Sequence, residues 1–177
     1  MIFNTIKNLF KKEDKPIIEY SKYFPNKFYT NKLVTIDDSL KLFLSNSKIN
    51  LPTDPLIVKK ITQFQIGNDE FEEIEFVDSQ YKLLYDRYSG YFYVLELVHL
   101  GDDTGLINET DVVTNDGIGY MSWTGVQEMI NKKDSKLIAI FNRSISSEAD
   151  EYFFIEVDKQ FTERRYVGII CQHNLIS

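Results

Sequence analysis

The chain has 177 residues, enough for one domain with a sizeable apolar core and no need of disulfides or metals. Its net charge of -7 argues against nucleic acid as a partner, because phosphate binding needs a positive face. A single cysteine excludes an internal disulfide, and the sequence lacks both a run of about 18 apolar residues and a signal-peptide pattern, so a cytoplasmic protein is expected.

The charge is unevenly spread. Residues 1–34 carry seven lysines against three acidic residues, a net +4, which leaves -11 on the remainder. Within that basic head, Ile2, Phe3, Ile6, Leu9 and Phe10 recur at helical spacing, with Lys7, Lys11 and Lys12 largely opposite. The spacing predicts an amphipathic helix over residues 1–12. Such a helix can lie in a membrane interface, dock on a partner chain, or pack on its own domain. Residues 13–31 are polar and aromatic and are broken by Pro16 and Pro25, which reads as an extended linker. The division expected is therefore residues 1–31 as helix and linker, and 32–177 as a β-rich globular domain.

Residues 32–36 read as a short strand. In residues 37–47, Asp37, Asp38 and Ser39 have N-cap chemistry, but Leu40, Leu42 and Leu44 alternate, and a strand is predicted. Pro52 and Pro55 bracket a turn. Residues 56–67 read as a strand whose alternation fails unless a bulge falls near Lys59-Lys60. Asn68-Asp69 is turn chemistry, and residues 71–77 form the next strand. Residues 81–100 combine dense β-branched and aromatic residues with a tight turn at Ser89-Gly90, predicting a central hairpin. Its second strand is apolar on both faces, so it is expected to be covered on both sides, and Glu96 there needs a partner or an escape to the rim.

Residues 101–120 read as a polar, turn-rich connection, with a turn at Asn115-Asp116-Gly117. Thr124 and Gln127 make a capping-box pattern ahead of Val126, Met129 and Ile130, predicting a helix over residues 123–132. Three more strands follow at residues 137–142, 151–157 and 166–171. The fold class expected is α+β: a β-rich single domain, mainly an antiparallel sheet or partial barrel, with one internal helix and an N-terminal amphipathic helix.

No catalytic, metal or cofactor motif emerges. The acids Asp102, Asp103, Glu109, Asp111 and Asp116 lack the spacing of a calcium loop and read as a solvated loop. Cys171 and His173 sit two apart, but Cys171 falls in a buried strand pattern. Glu70, Glu72, Glu73 and Glu75, like Glu148, Asp150, Glu151 and Glu156, read as solvated strand faces, and Arg164 and Arg165 as surface.

Several segments resemble the YjfK-like family, a bacterial domain of unknown function. They are IKNLFKKEDKP near the start, Ile49 to Pro52, Ile66-Gly67, the tyrosine-rich stretch from Phe76 to Gly90, Phe141-Asn142-Arg143, Asp150 to Phe154, and Tyr166 to Ile169. Phe141 stands where the family has a tyrosine. The family has no assigned catalytic residues or cofactor. Its members tend to be encoded beside a phage-shock-protein-A-like protein and small membrane proteins. The resemblance thus implies a non-enzymatic accessory or adaptor protein in envelope maintenance, with a protein partner such as that coiled coil and peripheral contact with the inner membrane. The residues expected to make that contact are Ile2, Phe3, Ile6, Lys7, Leu9, Phe10, Lys11 and Lys12. The acidic body suggests an alternative, an immunity-type inhibitor that binds a basic toxin.

Overall fold

In a computed structural model of the chain, the described residues are 28–44, 46–147 and 149–177. The predicted amphipathic helix over residues 1–12 and most of the linker lie outside them.

Aromatic and β-branched residues at period two build long antiparallel strands. The strands are β1 (Leu33–Val34), β2 (Leu56–Ile66), β3 (Asp69–Phe76), β4 (Tyr81–Asp86), β5 (Tyr91–Asp102), β6 (Val112–Asn115), β7 (Ile118–Ser122), β8 (Gln127–Ile130), β9 (Ser135–Ser144), β10 (Asp150–Asp158) and β11 (Thr162–Gln172). They form one sheet in the order β1-β2-β3-β4-β5-β11-β10-β9-β7-β6. Strand β8 joins β9 over residues 127–130 and 135–138, and also touches β2 through Gln65↔Ile130 and Ile66↔Met129. The sheet therefore curls into a ring that β8 closes at one end.

The β4–β5 hairpin sits mid-sheet. Asp86 Oδ1 accepts the amides of Tyr88 and Ser89 at 2.8 and 3.2 Å, and Gly90 takes φ +76°, so the chain reverses within residues 87–90. Strand β11 approaches β5 so closely at Gly168 that a Cβ there would lie 2.7 Å from the Val94 carbonyl oxygen. The expected bulge in β2 is present as a register shift between Val58 and Lys60.

Both faces of the sheet are apolar. Inside the ring, Phe64, Leu84, Tyr93, Leu95, Ile138 and Phe154 belong to one cluster. On the outside, Ile74, Leu83, Phe92, Phe141 and Phe153 form a second cluster with residues of the covering segments, among them Phe28, Leu40, Ile49, Ile107 and Tyr120. The central hairpin is thus covered on both sides over residues 82–86 and 92–96, whereas Val98 and Leu100, expected to be covered too, are 43% and 59% exposed.

Three predictions are corrected. Residues 123–132 are not a helix. Gln127–Ile130 is β8, of which only Met129 is buried, while Val126 and Ile130 are 43% and 45% exposed. A helix would have buried Val126, Met129 and Ile130 together, whereas the strand satisfies β9 and β2 at once and tucks Met129 into the ring. Residues 37–47 are not a strand. Asp38–Phe43 is a 3-10 helix capped by Asp37, whose Oδ1 accepts the Ser39 amide at 2.7 Å. The local capping chemistry outweighs the leucine alternation, since Leu40 is buried and Leu42 is 80% exposed. Finally, residues 101–120 contain the β6–β7 hairpin, turning at the predicted Asp116-Gly117 with φ +49° and +77°. No α-helix is present among the described residues, so this part of the chain is a β structure rather than α+β.

Candidate functional site

The inward faces of six strands change character at the same level. Stepping two residues along a strand keeps the side chain on the same face about 6.6 Å further on. On β3 that step goes from Phe71 to Glu73, on β4 from Leu84 to Lys82, and on β9 from Ile138 to Lys136. On β10 it goes from Phe154 to Glu156, on β11 from Tyr166 to Arg164, and on β2 from Phe64 to Thr62. One half of the ring is packed with aromatic and aliphatic side chains. The other half is lined with charge.

Four of those charges form a closed network. Lys82 Nζ donates to Glu73 Oε2 at 2.7 Å and to Glu156 Oε1 at 2.6 Å. Lys136 Nζ donates to Glu73 Oε2 at 2.5 Å and to Glu156 Oε2 at 3.1 Å. Each lysine also lies over a ring, Lys82 Nζ 4.0 Å from the centre of Tyr166 and Lys136 Nζ 4.9 Å from that of Phe64. Burial opposes ionisation of Glu73, but Lys82 and Lys136 outweigh it and hold the carboxyl down at about 2. Burial likewise opposes the charge on Lys82, and Glu156 and Glu73 outweigh it, raising its pKa well above the usual lysine range. The Tyr166 hydroxyl is pushed up to about 12, mainly by burial.

This network floors a cavity of about 1480 Å³. Beside it β2 and β9 part company, because β8 reaches β2 only at residues 65–66. Its lips on either side of that gap are residues 59–65 of β2 and 130–134 of the β8–β9 turn, and residues 78–81 with Asp158 and Gln160 line it as well. Eight cationic and seven anionic side chains line it. The chain from Phe28 to Ser177 carries 14 cationic and 24 anionic residues, so all the rest of that span holds six against 17. The residues lining the cavity are thus less acidic than the rest of that span. On its lips Lys59, Lys132 and Lys133 are exposed, and Lys60 has only a loose contact with Glu75 at 3.4 Å. The Thr62 hydroxyl is buried there without a hydrogen-bond partner among the described residues, on the residue opposite Glu73.

The outer face holds three more buried carboxylates, and each fixes a covering segment. Glu151 accepts from Tyr120 Oη at 2.7 Å, from Arg143 Nε at 2.8 Å, and from the Ser47 hydroxyl and the Lys48 amide. Burial works against its ionisation, but these donors prevail and its pKa is lowered. Glu96 accepts from the Asn50 amide and from Gln80 Nε2, both at 2.7 Å. Glu163 accepts from Thr104 Oγ1 at 2.9 Å and from Arg165 Nε at 2.5 Å. Glu96 therefore has partners rather than an escape to the rim, Asn50 of the strap of residues 46–51 and Gln80 ahead of β4.

Cys171 is buried on the outer cluster, and burial pushes its thiol up to about 12. Its β5 neighbour is Phe92, whereas His99 pairs with Arg165, six residues away along β11 and so about 20 Å distant. Cys171 and His99 are not brought together. Among the described residues no group of His, Cys, Asp and Glu is placed to hold a metal ion, and no helix is long and apolar enough to cross a membrane. The predicted contact residues from Ile2 to Lys12 lie outside the described part of the chain.

The reading of the glutamates as solvated strand faces is corrected for Glu73, Glu151 and Glu156, which are 6%, 0% and 2% exposed. The signal was present in part. Glu156 interrupts YFFIEV, a strand apolar on both faces, and such a charge must be paired. Which lysines answer it depends on strand register around a closed ring. No family model matches the chain, nor does any curated protein or solved structure.

Proposed function

We propose that the chain is a non-enzymatic accessory protein, an adaptor whose cavity receives a segment of a protein partner. The observation that carries this reading is the cavity itself: about 1480 Å³, floored by a self-neutralised charge network and lined by eight cationic against seven anionic side chains on an otherwise acidic chain. The volume exceeds the roughly 300–1,000 Å³ of ordinary small-molecule pockets. The groups suited to proton transfer or nucleophilic attack are committed elsewhere. Glu73 and Lys82 are held in each other's charge, and Cys171 is a buried thiol. A buried ion network adds little stability over an apolar isostere, so its place at a cavity favours a role in contact. The basic stretch from Ile2 to Lys12 would add a second contact, with an anionic membrane surface or a coiled-coil partner, in keeping with an accessory role at the inner membrane.

The test is capture from the producing cells with the full chain, as wild type and as the rim variant Lys59→Glu/Lys60→Glu/Lys132→Glu/Lys133→Glu. A protein captured by the wild type and lost with the variant is expected. Identical captures would contradict a partner at the cavity. Liposome flotation of the full chain, with and without Lys7→Glu/Lys11→Glu/Lys12→Glu, tests the membrane contact separately.

One observation favours a second reading. Outside the cavity, residues 28–177 carry six cationic against 17 anionic residues, of which Asp86, Glu96, Glu151 and Glu163 are buried, and the acidic excess that remains suits an immunity-type inhibitor of a basic toxin. A basic toxin domain captured equally by wild type and rim variant would favour it.

A further inference from the structure

The wall of the barrel is incomplete along one strand edge. Strands β2 and β3 are joined by the two-residue turn Gly67-Asn68, with Ile66 opposite Asp69. In such a hairpin the residues flanking the turn exchange both backbone hydrogen bonds, and the pattern then alternates. Ile66, Phe64 and Thr62 therefore aim their amides and carbonyls at β3, and Gln65, Gln63 and Ile61 aim theirs the other way. Gln65 meets Ile130 of β8 there. At the far end Val58 meets β1, donating to the Lys32 carbonyl at 2.9 Å and accepting the Asn31 amide at 2.8 Å. Between these contacts, Ile61 and Gln63 face no strand among the described residues. Their donors and acceptors open into the cavity, which every residue from 59 to 65 lines.

We propose that this gap takes an extended, acidic peptide segment of a partner protein, which adds as a strand to the free edge of β2 between β1 and β8. The proposal rests on the adaptor reading above and specifies what the cavity binds. Main-chain hydrogen bonds to Ile61 and Gln63 give the strand its seat, as in other cases of strand addition. Charge selects the occupant, since Lys59, Lys60, Lys132 and Lys133 border the gap on both sides against the single acid Asp134 there. The same lysines repel a second copy of this edge, a common safeguard on open strands, so an acidic partner is favoured over self-association. Side chains on the inward face of the added strand would reach the Thr62 hydroxyl, which has no partner among the described residues, and the Glu73–Lys82–Lys136–Glu156 floor.

The test uses the full chain and a displayed library of random peptides of about ten residues, a length that covers the edge. Selected peptides are measured for affinity and for amide exchange at Ile61 and Gln63. Gln63→Pro removes a donor that β3 does not use, at an edge position where proline is tolerated. Lys59→Glu/Lys132→Glu leaves the backbone intact and reverses the rim. Acidic peptides that slow exchange at Ile61 and Gln63, and that bind Gln63→Pro about five- to twentyfold more weakly, are the expected result. The rim variant should weaken them further, and added salt should weaken wild-type binding. Several outcomes overturn the proposal: no enriched peptide, enriched peptides without net negative charge, or affinity unchanged by both variants. So does protection of Ile61 and Gln63 before any peptide is added, which would mean residues 1–27 already fill the edge, or dimerisation through it seen by sedimentation. A cellular partner lost with the rim variant but retained by Gln63→Pro would leave the adaptor reading standing and remove strand addition.

Discussion

Lys82 on β4 and Glu156 on β10 meet at 2.6 Å inside the barrel, although 74 residues separate them in the chain. The contact joins the two halves of the sheet across its interior and links, through Glu73, to Lys136 on β9. It sets the level at which the packed half of the barrel gives way to the cavity.

Removing one member should therefore cost far more than its share of the contacts. Lys82→Met leaves Glu73 and Glu156 buried with only Lys136 between them. Breaking a buried charge pair on one side costs about 3–5 kcal/mol, and urea denaturation should show a loss of that size. A loss under about 0.5 kcal/mol, the level of an ordinary surface substitution, would mean that the network is not formed.

The pH dependence has a defined sign. Glu73 is held down at about 2, below its ordinary 4.5, so the folded state binds its proton less readily than the unfolded state. That stability is fully present above about pH 4.5 and is lost as the pH falls towards about 2. Glu151 is lowered too and contributes in the same direction. The comparison of wild type with Glu73→Gln isolates the first term. The variant should lose less stability between pH 5 and pH 3 than the wild type does, by the linkage relation. Parallel curves would contradict the assignment.

Glu151 pins the strap. Glu151→Gln retains the shape but leaves Arg143 without its carboxylate and weakens the hold on Ser47 and Lys48. A loss of about 3 kcal/mol is expected, with faster amide exchange at Lys48 and Asn50 than in the rest of the sheet. Uniform acceleration across β10 would show instead that Glu151 serves the sheet and not the strap.

Cys171 should be inert while the protein is folded. Its thiol is buried and pushed up to about 12, so iodoacetamide at pH 8 should label it only on unfolding. Labelling at the rate of a free thiol would reopen the case for a nucleophile there.

The sequence carried the strands well because each has a period-two pattern of its own. The β2 bulge, the β4–β5 hairpin and the Asp116-Gly117 turn are all local signals, and each is in place. It failed where the deciding contacts are distant. Residues 123–132 fit a capped helix by local chemistry, yet closing the ring between β2 and β9 makes Gln127–Ile130 a strand. The site is less legible still. Glu73 in EFEEIEF looks like an alternating solvated face, and Lys82 looks like an ordinary strand lysine. Only the register around the closed ring turns them toward each other. The free edge of β2 is invisible in the sequence, because it depends on how far β1 and β8 extend along it.

The central claim is that the gap beside β2 is where a partner binds. A photo-crosslinking amino acid placed at position 63 of the full chain, expressed in its own cells, tests it most directly, with position 42 on the outer 3-10 helix as the control. One partner protein, joined through an acidic segment at position 63 and absent from position 42, is the result predicted. Adducts confined to residues 1–27 of the same chain, or equal adducts at both positions, would contradict it.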